Sequence, residues 1–217
     1  MTGDLIPAKV LATRTIANVS ETLAKKLGLP RQYRSIGLIT ADSDDMTYCA
    51  LDEATKAAAV EVVYGKSLYA GAANASTALA GEVIGILAGP NPAEVQSGLR
   101  ACVDFMNSGA GFRSANQDDS IIYFAHTVSR TGTYLSKVAG VREGEALAYL
   151  IAPPLEAMVG LDEAMKASDV ELVALFEPPS ETNFGGGLLT GTQSACDAAA
   201  AAFAEAVKAV ADHPKEV

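Results

Sequence analysis

Apolar and polar residues follow one another in blocks that predict short strands separated by amphipathic helices. The apolar runs SIGLIT, from Ser35, and ALAYLIA, from Ala146, predict strands, and so do the β-branched runs VEVVY, from Val60, and VELVALF, from Val170. Between the strands of each pair lies a segment containing LDEA, whose charged residues fall on one helical face and whose alanines fall on another. Helices that alternate with strands predict an α/β (or α+β) layer architecture.

This pattern of strands and helices occurs twice in the chain. LDEATKAAAVEVV at residues 51–63 is repeated as LDEAMKASDVELV at residues 161–173, an offset of 110 residues. The likeness continues upstream, where LAKKLGL from Leu23 matches LSKVAGV from Leu135, and downstream, where each copy has a strand, a turn and a long helix. We therefore predict two domains, at 1–112 and 113–217, each a small mixed sheet flanked by helices.

Two long loops are expected at equivalent positions in the two copies. They run from Tyr64 to Gly81 and from Glu177 to Gly191, and Gly, Ala, Ser and Asn are frequent in them. Each contains an aromatic residue, Tyr69 in the first loop and Phe184 in the second. Loops of this length are usually functional or disordered, although plain surface connections are the alternative.

Charge and cysteine content narrow the function classes. The 217 residues carry a formal net charge of −10, which phosphate backbones would repel, so we predict no nucleic-acid partner. The three cysteines are widely spaced, which argues against a disulfide framework or a zinc site and fits a reducing cytoplasm. The N-terminus lacks a secretion signal and no long uninterrupted apolar run is present, so we predict no membrane association.

Catalytic motifs are absent from the sequence. Of the two histidines, His213 lies in the C-terminal tail, and His126 lies on a predicted strand, where a lone histidine is usually a hydrogen-bonded structural residue. Neither a GxSxG elbow nor a glycine motif for phosphates or dinucleotides is found. We predict that the chain is not an enzyme and requires no cofactor.

One cluster of acidic residues stands out. The segment ADSDD places Asp42, Asp44 and Asp45 directly after a predicted strand, without the glycine and the final Glu of a calcium-binding loop. One interpretation is a solvated turn. The other is the mouth of a site for a small cation, whose ammonium group would donate charge-assisted hydrogen bonds to the carboxylates. Capture of a divalent metal by the same carboxylates stays open.

Longer stretches of the sequence resemble one protein family. They are ITADSDDMTY, LDEATKAAAVEVVYGKSLYAGAANAS, AGEVIGILAGPNPAE, SRTGTYLS, AYLIAPPLEA and EPPSETNFGGGLLTG. In this order they resemble the shell proteins of ethanolamine-utilisation bacterial microcompartments, and the likeness runs over nearly all of the chain. The resemblance implies two tandem, circularly permuted BMC shell domains, which agrees with the repeat found independently.

The resemblance also implies a structural function in the bacterial cytoplasm. Three chains are expected to form a flat, pseudo-hexagonal homotrimer. With other microcompartment shell proteins, the trimers would tile into the facets of a shell around the breakdown of ethanolamine. Loops at the trimer axis would gate a wide central pore, and smaller acidic pores within each subunit would bind ethanolamine, so that the protein controls metabolite passage.

Candidate residues for both kinds of pore are implied by the same resemblance. The ethanolamine-binding small pore is expected to contain Asp44, Asp45, Glu82 and Phe112, with the carboxylates on the ammonium group and backbone groups near Phe112 on the hydroxyl. The gate loops are expected at 66–71 and 181–187, with candidate residues Lys66, Ser67, Tyr69, Thr182, Asn183 and Phe184.

Two other function classes are kept as alternatives. A small-molecule binding module, for an amine or for cobalamin, would bind its ligand without assembling into a shell, although no sequence motif supports cobalamin. An enzyme on a duplicated α/β fold would need a nucleophile or a set of metal ligands that the sequence does not display.

Overall fold

The chain divides into two units, each with its own sheet. The computed structural model describes residues 1–68, 79, 81–178 and 183–215. The N-terminal unit comprises Ala8–Gly109 and Gly132–Leu135, and the C-terminal unit comprises Met1–Pro7, Ala110–Thr131 and Ser136–Val217. Each unit thus takes in a short segment from the other half of the sequence. The division at residue 112 stays a prediction about the two domains.

Ten strands and six helices are formed by the described residues. In chain order they are β1 (Leu5–Ile6), β2 (Val10–Ile16), α1 (Glu21–Leu27), β3 (Ser35–Ala41), α2 (Asp44–Ala57), β4 (Glu61–Ser67), β5 (Val83–Gly89), α3 (Pro92–Met106), β6 (Phe112–Ser114), β7 (Ile122–Val128), α4 (Thr133–Ala139), β8 (Ala146–Ala152), α5 (Pro154–Ala167), β9 (Val170–Phe176), β10 (Gly185–Gly191) and α6 (Gln193–Asp212). Within these ranges, no helix is both long enough and apolar enough to cross a bilayer.

The order of elements confirms the α/β fold class and the internal repeat. The series β2-α1-β3-α2-β4-β5-α3 recurs as β7-α4-β8-α5-β9-β10-α6. The strand order recurs with it, as β2-β3-β5-β4 in the N-terminal unit and as β7-β8-β10-β9 in the C-terminal unit, where β1 and β6 extend the sheet beyond β7. The helices α2 and α5 have 14 residues each.

All strand pairings in the described residues are antiparallel, which corrects the expectation of mixed sheets. Helix α2 joins β3 to β4, but β5 lies between these two strands and is antiparallel to both. The C-terminal unit repeats this arrangement with β10 between β8 and β9. A crossover helix therefore joins strands of the same direction that are not neighbours, and the strand that separates them comes later in the sequence.

The strands extend into both segments that the sequence predicts as long loops. Lys66 and Ser67 belong to β4 and pair with Ile84 and Val83 of β5. The glycine-rich start of β10 pairs with β8, and a side chain at Gly186 would approach the Leu150 carbonyl oxygen to 1.9 Å. Glycine at this position therefore permits close backbone approach within a strand.

Small side chains allow the helices to pack closely against the sheets. In the C-terminal unit, α5 and α6 cover one face of the sheet, and the buried cluster combines many alanines with a few large residues such as Leu150, Leu161 and Phe203. In the N-terminal unit, Val19, Ile36 and Ile86 form a buried cluster against which α1 residues pack. Asn91 and Thr192 cap the starts of α3 and α6, where their side-chain oxygens accept backbone N–H bonds.

Candidate functional site

The predicted acidic pair lies at the start of α2, immediately after β3. Ser43 is the N-cap residue, and Asp44 and Asp45 form the first turn of the helix. The two aspartates are only 8% and 7% exposed, which excludes a solvated turn as the interpretation of this pair. Acidic side chains are favourable at a helix N-terminus, because the unpaired N–H groups of the first turn carry partial positive charge.

Asp42, the third member of the acidic cluster, has a separate role. Its carboxylate accepts a hydrogen bond from the Lys9 backbone N–H at 2.6 Å, and its own N–H donates to the Lys9 carbonyl at 3.2 Å. These bonds tie the end of β3 to the segment that precedes β2. The candidate site therefore centres on Asp44 and Asp45.

A chain of hydroxyl groups connects the acidic pair to the end of β4. Ser67 Oγ donates to Asp44 Oδ2 at 2.8 Å, and Tyr48 OH lies 2.6 Å from Ser67 Oγ. Because the serine proton is directed at Asp44, the Tyr48 hydroxyl must donate to Ser67. Burial raises the pKa of Tyr48 well above its usual value, and the hydrogen bond to Ser67 opposes this effect in part, so the phenol stays protonated and can act as the donor.

One buried hydroxyl beside the carboxylates lacks a hydrogen-bond partner. Ser43 Oγ makes no side-chain capping bond to α2. Within the described part of the chain, it is a buried side-chain oxygen without a hydrogen-bond partner. Buried polar atoms are usually paired with protein, water or ligand. An unsatisfied hydroxyl on the residue that precedes two buried aspartates is therefore suited to a ligand that has polar groups of its own.

Glu82 is held by its backbone between the ends of β3 and β4. Its N–H donates to the Ala41 carbonyl at 2.8 Å, and its carbonyl accepts from the Leu68 N–H at 2.7 Å. Gly81 makes this approach possible, since a Cβ there would lie 2.0 Å from the Ala41 oxygen. Glu82 is thus bonded to Leu68, the residue that follows Ser67, and the Ser67 hydroxyl donates to Asp44.

Phe112 belongs to the C-terminal unit, so its predicted place beside the acidic pair stays a prediction. It lies on β6 and packs against Phe124 at 5.4 Å and edge-on against Phe184 at 5.9 Å between ring centroids. Phe112 and Phe184, which the resemblance assigns to two different pores, are therefore in contact. Asn183, the residue before Phe184, has a positive φ of 63°.

The remaining gate candidates divide between a strand and the parts of the chain that are not described. Lys66 and Ser67 lie on β4, whereas Tyr69 and Thr182 lie outside the described residues. The participation of Ser43 and Tyr48 was not predicted from the sequence. The participation of Tyr48 could have been predicted, because Tyr48 follows Asp44 by four residues and therefore lies on the same face of the helix.

Other potentially reactive groups are buried or packed. Cys49, Cys102 and Cys196 are free and buried. Burial raises the pKa of Cys102 to about 12 and also raises the pKa of Cys49 well above its usual value. These thiols are therefore poor nucleophiles. The His126 ring packs beside Phe124. Among the described residues, no group of three or more His, Cys, Asp or Glu side chains is placed to hold a metal ion.

Comparisons with known proteins give a consistent result. The BMC domain family model matches residues 35–116. The chain is 68% identical to a protein of Clostridium perfringens and 56% identical to one of Salmonella typhimurium, both described as "Bacterial microcompartment shell protein EutL". The alignments cover 99% of both chains for the first relative, and 97% of this chain and 96% of the relative for the second.

A solved structure supports the same assignment. The crystal structure of ethanolamine utilization protein EutL from Leptotrichia buccalis superposes with a TM-score of 0.98 at 70% sequence identity, over 100% of both chains. The superposition extends over the whole chain and therefore includes both units. The chain therefore belongs to the EutL family of bacterial microcompartment shell proteins.

Proposed function

We propose that the chain assembles as a homotrimer into the shell of an ethanolamine-utilisation microcompartment in the bacterial cytoplasm, and that its acidic pair binds ethanolamine. Family membership supports the shell role. The repeat supports the trimer, because three chains with two similar units each provide the six positions of a pseudo-hexagonal tile. A central pore between such units, with its gate at 66–71 and 181–187, is the proposed route for metabolites.

The observation that carries the ligand proposal is the combination of two buried carboxylates with an unpaired hydroxyl. Ethanolamine offers an ammonium group, which donates three hydrogen bonds, and a hydroxyl, which both donates and accepts. Asp44 and Asp45 are suited to the ammonium group, and Ser43 Oγ is suited to either polar group. Glu82 and Phe112 are proposed as additional contacts.

A link between ligand and gate is proposed through Ser67. Its hydroxyl donates a hydrogen bond to Asp44, and Ser67 is the last residue of β4 and lies within the proposed gate segment. An ammonium group that takes over the Asp44 oxygen would release the Ser67 hydroxyl. Such a ligand shifts a gate equilibrium only if it binds one state more tightly than the other.

Ethanolamine binding is tested by calorimetric titration of a double variant, Asp44→Asn with Asp45→Asn. We expect its affinity for ethanolamine to fall by roughly 30-fold or more, because the ammonium group would lose its buried, negatively charged hydrogen-bond acceptors. The matched control is Asp118→Asn with Asp119→Asn, which removes two adjacent acids from an exposed turn and should leave the affinity unchanged. Equal affinity of the two double variants would refute the assignment of the site.

The shell role is tested separately, by light scattering and by electron microscopy at high protein concentration. We expect a mass three times the 22.3 kDa of the chain, and flat sheets with hexagonal order. Ethanolamine or cobalamin binding by a protein that stays monomeric and never tiles would instead favour the small-molecule binding module. Cobalamin binding is followed in the same samples by its visible absorbance.

A further inference from the structure

Basic residues are concentrated in one short stretch of this acidic chain. Residues 14–34 contain five Lys or Arg and one acidic residue, Glu21, although the whole chain contains 16 Lys or Arg and 26 Asp or Glu. The equivalent stretch of the other repeat, residues 126–146, contains three Lys or Arg and two Glu. The concentration of positive charge therefore belongs to one unit and is not a requirement of the repeated fold.

The five basic residues lie on or beside α1. Two lysines are in the last turn of this helix, and two arginines follow in the segment that leads to β3. Arg14 lies on β2 opposite Leu38, and cross-strand partners project from the same face of a sheet. Because Leu38 packs in the cluster that α1 covers, Arg14 lies on the same side of the sheet as the helix. We call this set the α1 basic surface, and it consists of Arg14, Lys25, Lys26, Arg31 and Arg34.

All five residues are exposed, and none of them forms an ion pair with another described residue. On other helices, Lys56 and Lys166 each pair with an acidic residue three or four positions earlier. Glu21 stands four positions before Lys25, at the same kind of spacing, but the two do not pair. Unpaired like charges that lie close together repel one another. An anionic partner would relieve this repulsion.

The helix dipole accounts for only part of the α1 basic surface. Cations are favourable in the last turn of a helix, where the carbonyl groups carry partial negative charge, and this explains Lys25 and Lys26. Arg14, Arg31 and Arg34 lie outside α1 and gain nothing from its dipole. All three are arginines, whose planar guanidinium group can donate two parallel hydrogen bonds to one carboxylate. Their chemistry therefore favours a carboxylate-bearing partner.

Two apolar side chains are exposed among these cations. Leu23 is 41% exposed and lies three residues before Lys26, on the same face of α1. Ile16 is 37% exposed and pairs with Ile36, which belongs to the cluster beneath α1. The surface therefore offers apolar contacts as well as positive charge, and a partner that matches it would carry both acidic and apolar side chains.

We propose that the α1 basic surface binds an acidic peptide segment of a different protein, with the arginines on its carboxylates and with Ile16 and Leu23 against its apolar side chains. Exposed cations on a strand, a helix and a loop suit an extended segment, whereas a small anion needs donors that converge on one point. A long polyanion such as nucleic acid is disfavoured, because the rest of the chain is strongly acidic and would repel it. This contact is additional to the proposed shell assembly and to the proposed ethanolamine site.

Fluorescence anisotropy tests the contact with a labelled peptide built from Glu, Gly and Leu, titrated with the full-length protein at low salt. The variant Lys25→Glu with Arg31→Glu reverses two charges of the α1 basic surface. Its matched control, Lys137→Glu with Arg142→Glu, reverses two exposed charges in the equivalent part of the other repeat and gives the same net charge. We expect the peptide affinity to fall by about tenfold or more in the first variant and to change by less than about twofold in the control.

The peptide itself provides a second readout. A peptide in which Gln replaces every Glu should not bind, and added salt should weaken binding of the Glu peptide, because exposed charge pairs are screened. Equal affinities of the two variants would overturn the proposal. Binding of the Gln peptide as tightly as the Glu peptide, or failure of the unmodified protein to bind the Glu peptide, would overturn it as well.

Other occupants of the surface are distinguished in the same samples. A light-scattering mass or a tendency to form sheets that differs between the two variants would mean that copies of this chain meet at the α1 basic surface, and the proposal would be wrong. Displacement of the Glu peptide by inorganic phosphate or by a short single-stranded DNA, at lower concentrations than by unlabelled peptide, would also overturn it. The expected result is an unchanged mass and displacement by unlabelled peptide. Ethanolamine titration of both variants tests the proposed function separately, since neither alters Asp44 or Asp45.

Discussion

Two identical residues in identical local sequence have opposite environments in this protein. Asp52 and Asp162 both stand in the motif LDEA on equivalent helices, yet their side chains are 1% and 60% exposed. Asp52 accepts two backbone N–H bonds and lies 3.6 Å from the Lys56 ammonium group. A buried carboxylate is tolerated there because its hydrogen bonds and its counter-ion are both supplied.

Asp52→Ala should destabilise the protein, because it leaves the Gly132 and Leu135 N–H groups without their acceptor. We expect a loss of roughly 1–3 kcal/mol in the free energy of unfolding. The control is Glu53→Ala, which also removes a partner of Lys56 but from a side chain that is 37% exposed, and which should cost less than about 0.5 kcal/mol. Thermal unfolding at one fixed protein concentration measures both, and equal effects would contradict the structural role of Asp52.

At the scale of elements, α5 and α6 pack with almost no space between them at one point. A Cβ at Gly160 would lie 2.6 Å from Phe203 Cδ2 and 2.8 Å from Phe203 Cε2. Gly160 and Phe203 therefore form a complementary pair, because the missing side chain on α5 leaves the space that the Phe203 ring of α6 occupies. At the equivalent position of α2 stands Ala50, which is fully buried.

Gly160→Ala is therefore expected to destabilise the protein, although alanine is the better helix former. Overpacking against the ring should outweigh the gain in helix propensity and leave a net loss of roughly 1–2 kcal/mol. Gly98→Ala in α3 is the control, since its nearest contact, Leu87 Cδ1 at 3.1 Å, is the end of a flexible side chain. Chemical denaturation measures both variants. Adding Phe203→Leu to Gly160→Ala should recover part of the loss, and its failure to do so would argue against the ring as the cause.

At the scale of the whole molecule, the net charge of −10 bears on the proposed assembly of chains into a sheet. A trimer would carry three times this charge, and neighbouring trimers would repel one another at low ionic strength. The proposed sheet would therefore depend on short-range contacts that act once the long-range repulsion is screened.

Sheet formation should therefore increase with salt. Raising NaCl from about 30 mM to about 300 mM shortens the screening length from roughly 18 Å to roughly 6 Å. Electron microscopy and sedimentation should show more extended sheets at the higher concentration, while light scattering shows an unchanged mass for the trimer. Dissolution of the sheets by salt would mean that opposite charges across the tile edges dominate the assembly.

The candidate site was only partly predictable. The clustering of acids after a strand identified Asp42, Asp44 and Asp45, and the family resemblance selected Asp44 and Asp45 among them. The choice between a solvated turn and a binding site depended on burial, which the local sequence does not reveal. The Ser67 bond to Asp44 joins residues 23 positions apart, and no local pattern predicts it. The unpaired Ser43 hydroxyl became visible only from the three-dimensional packing of the described residues.

The sequence alone determined the duplication, the order of strands and helices, and the family, because periodicity and repeated motifs are properties of contiguous residues. The tertiary structure decided that β5 and β10 lie between strands that a helix connects, since strand order depends on pairing between distant segments. It also decided that Asp52 is buried while Asp162 is exposed, because the segment that covers one of them belongs to the other repeat. Local sequence thus specified two similar units, and long-range packing gave each of them a different surface.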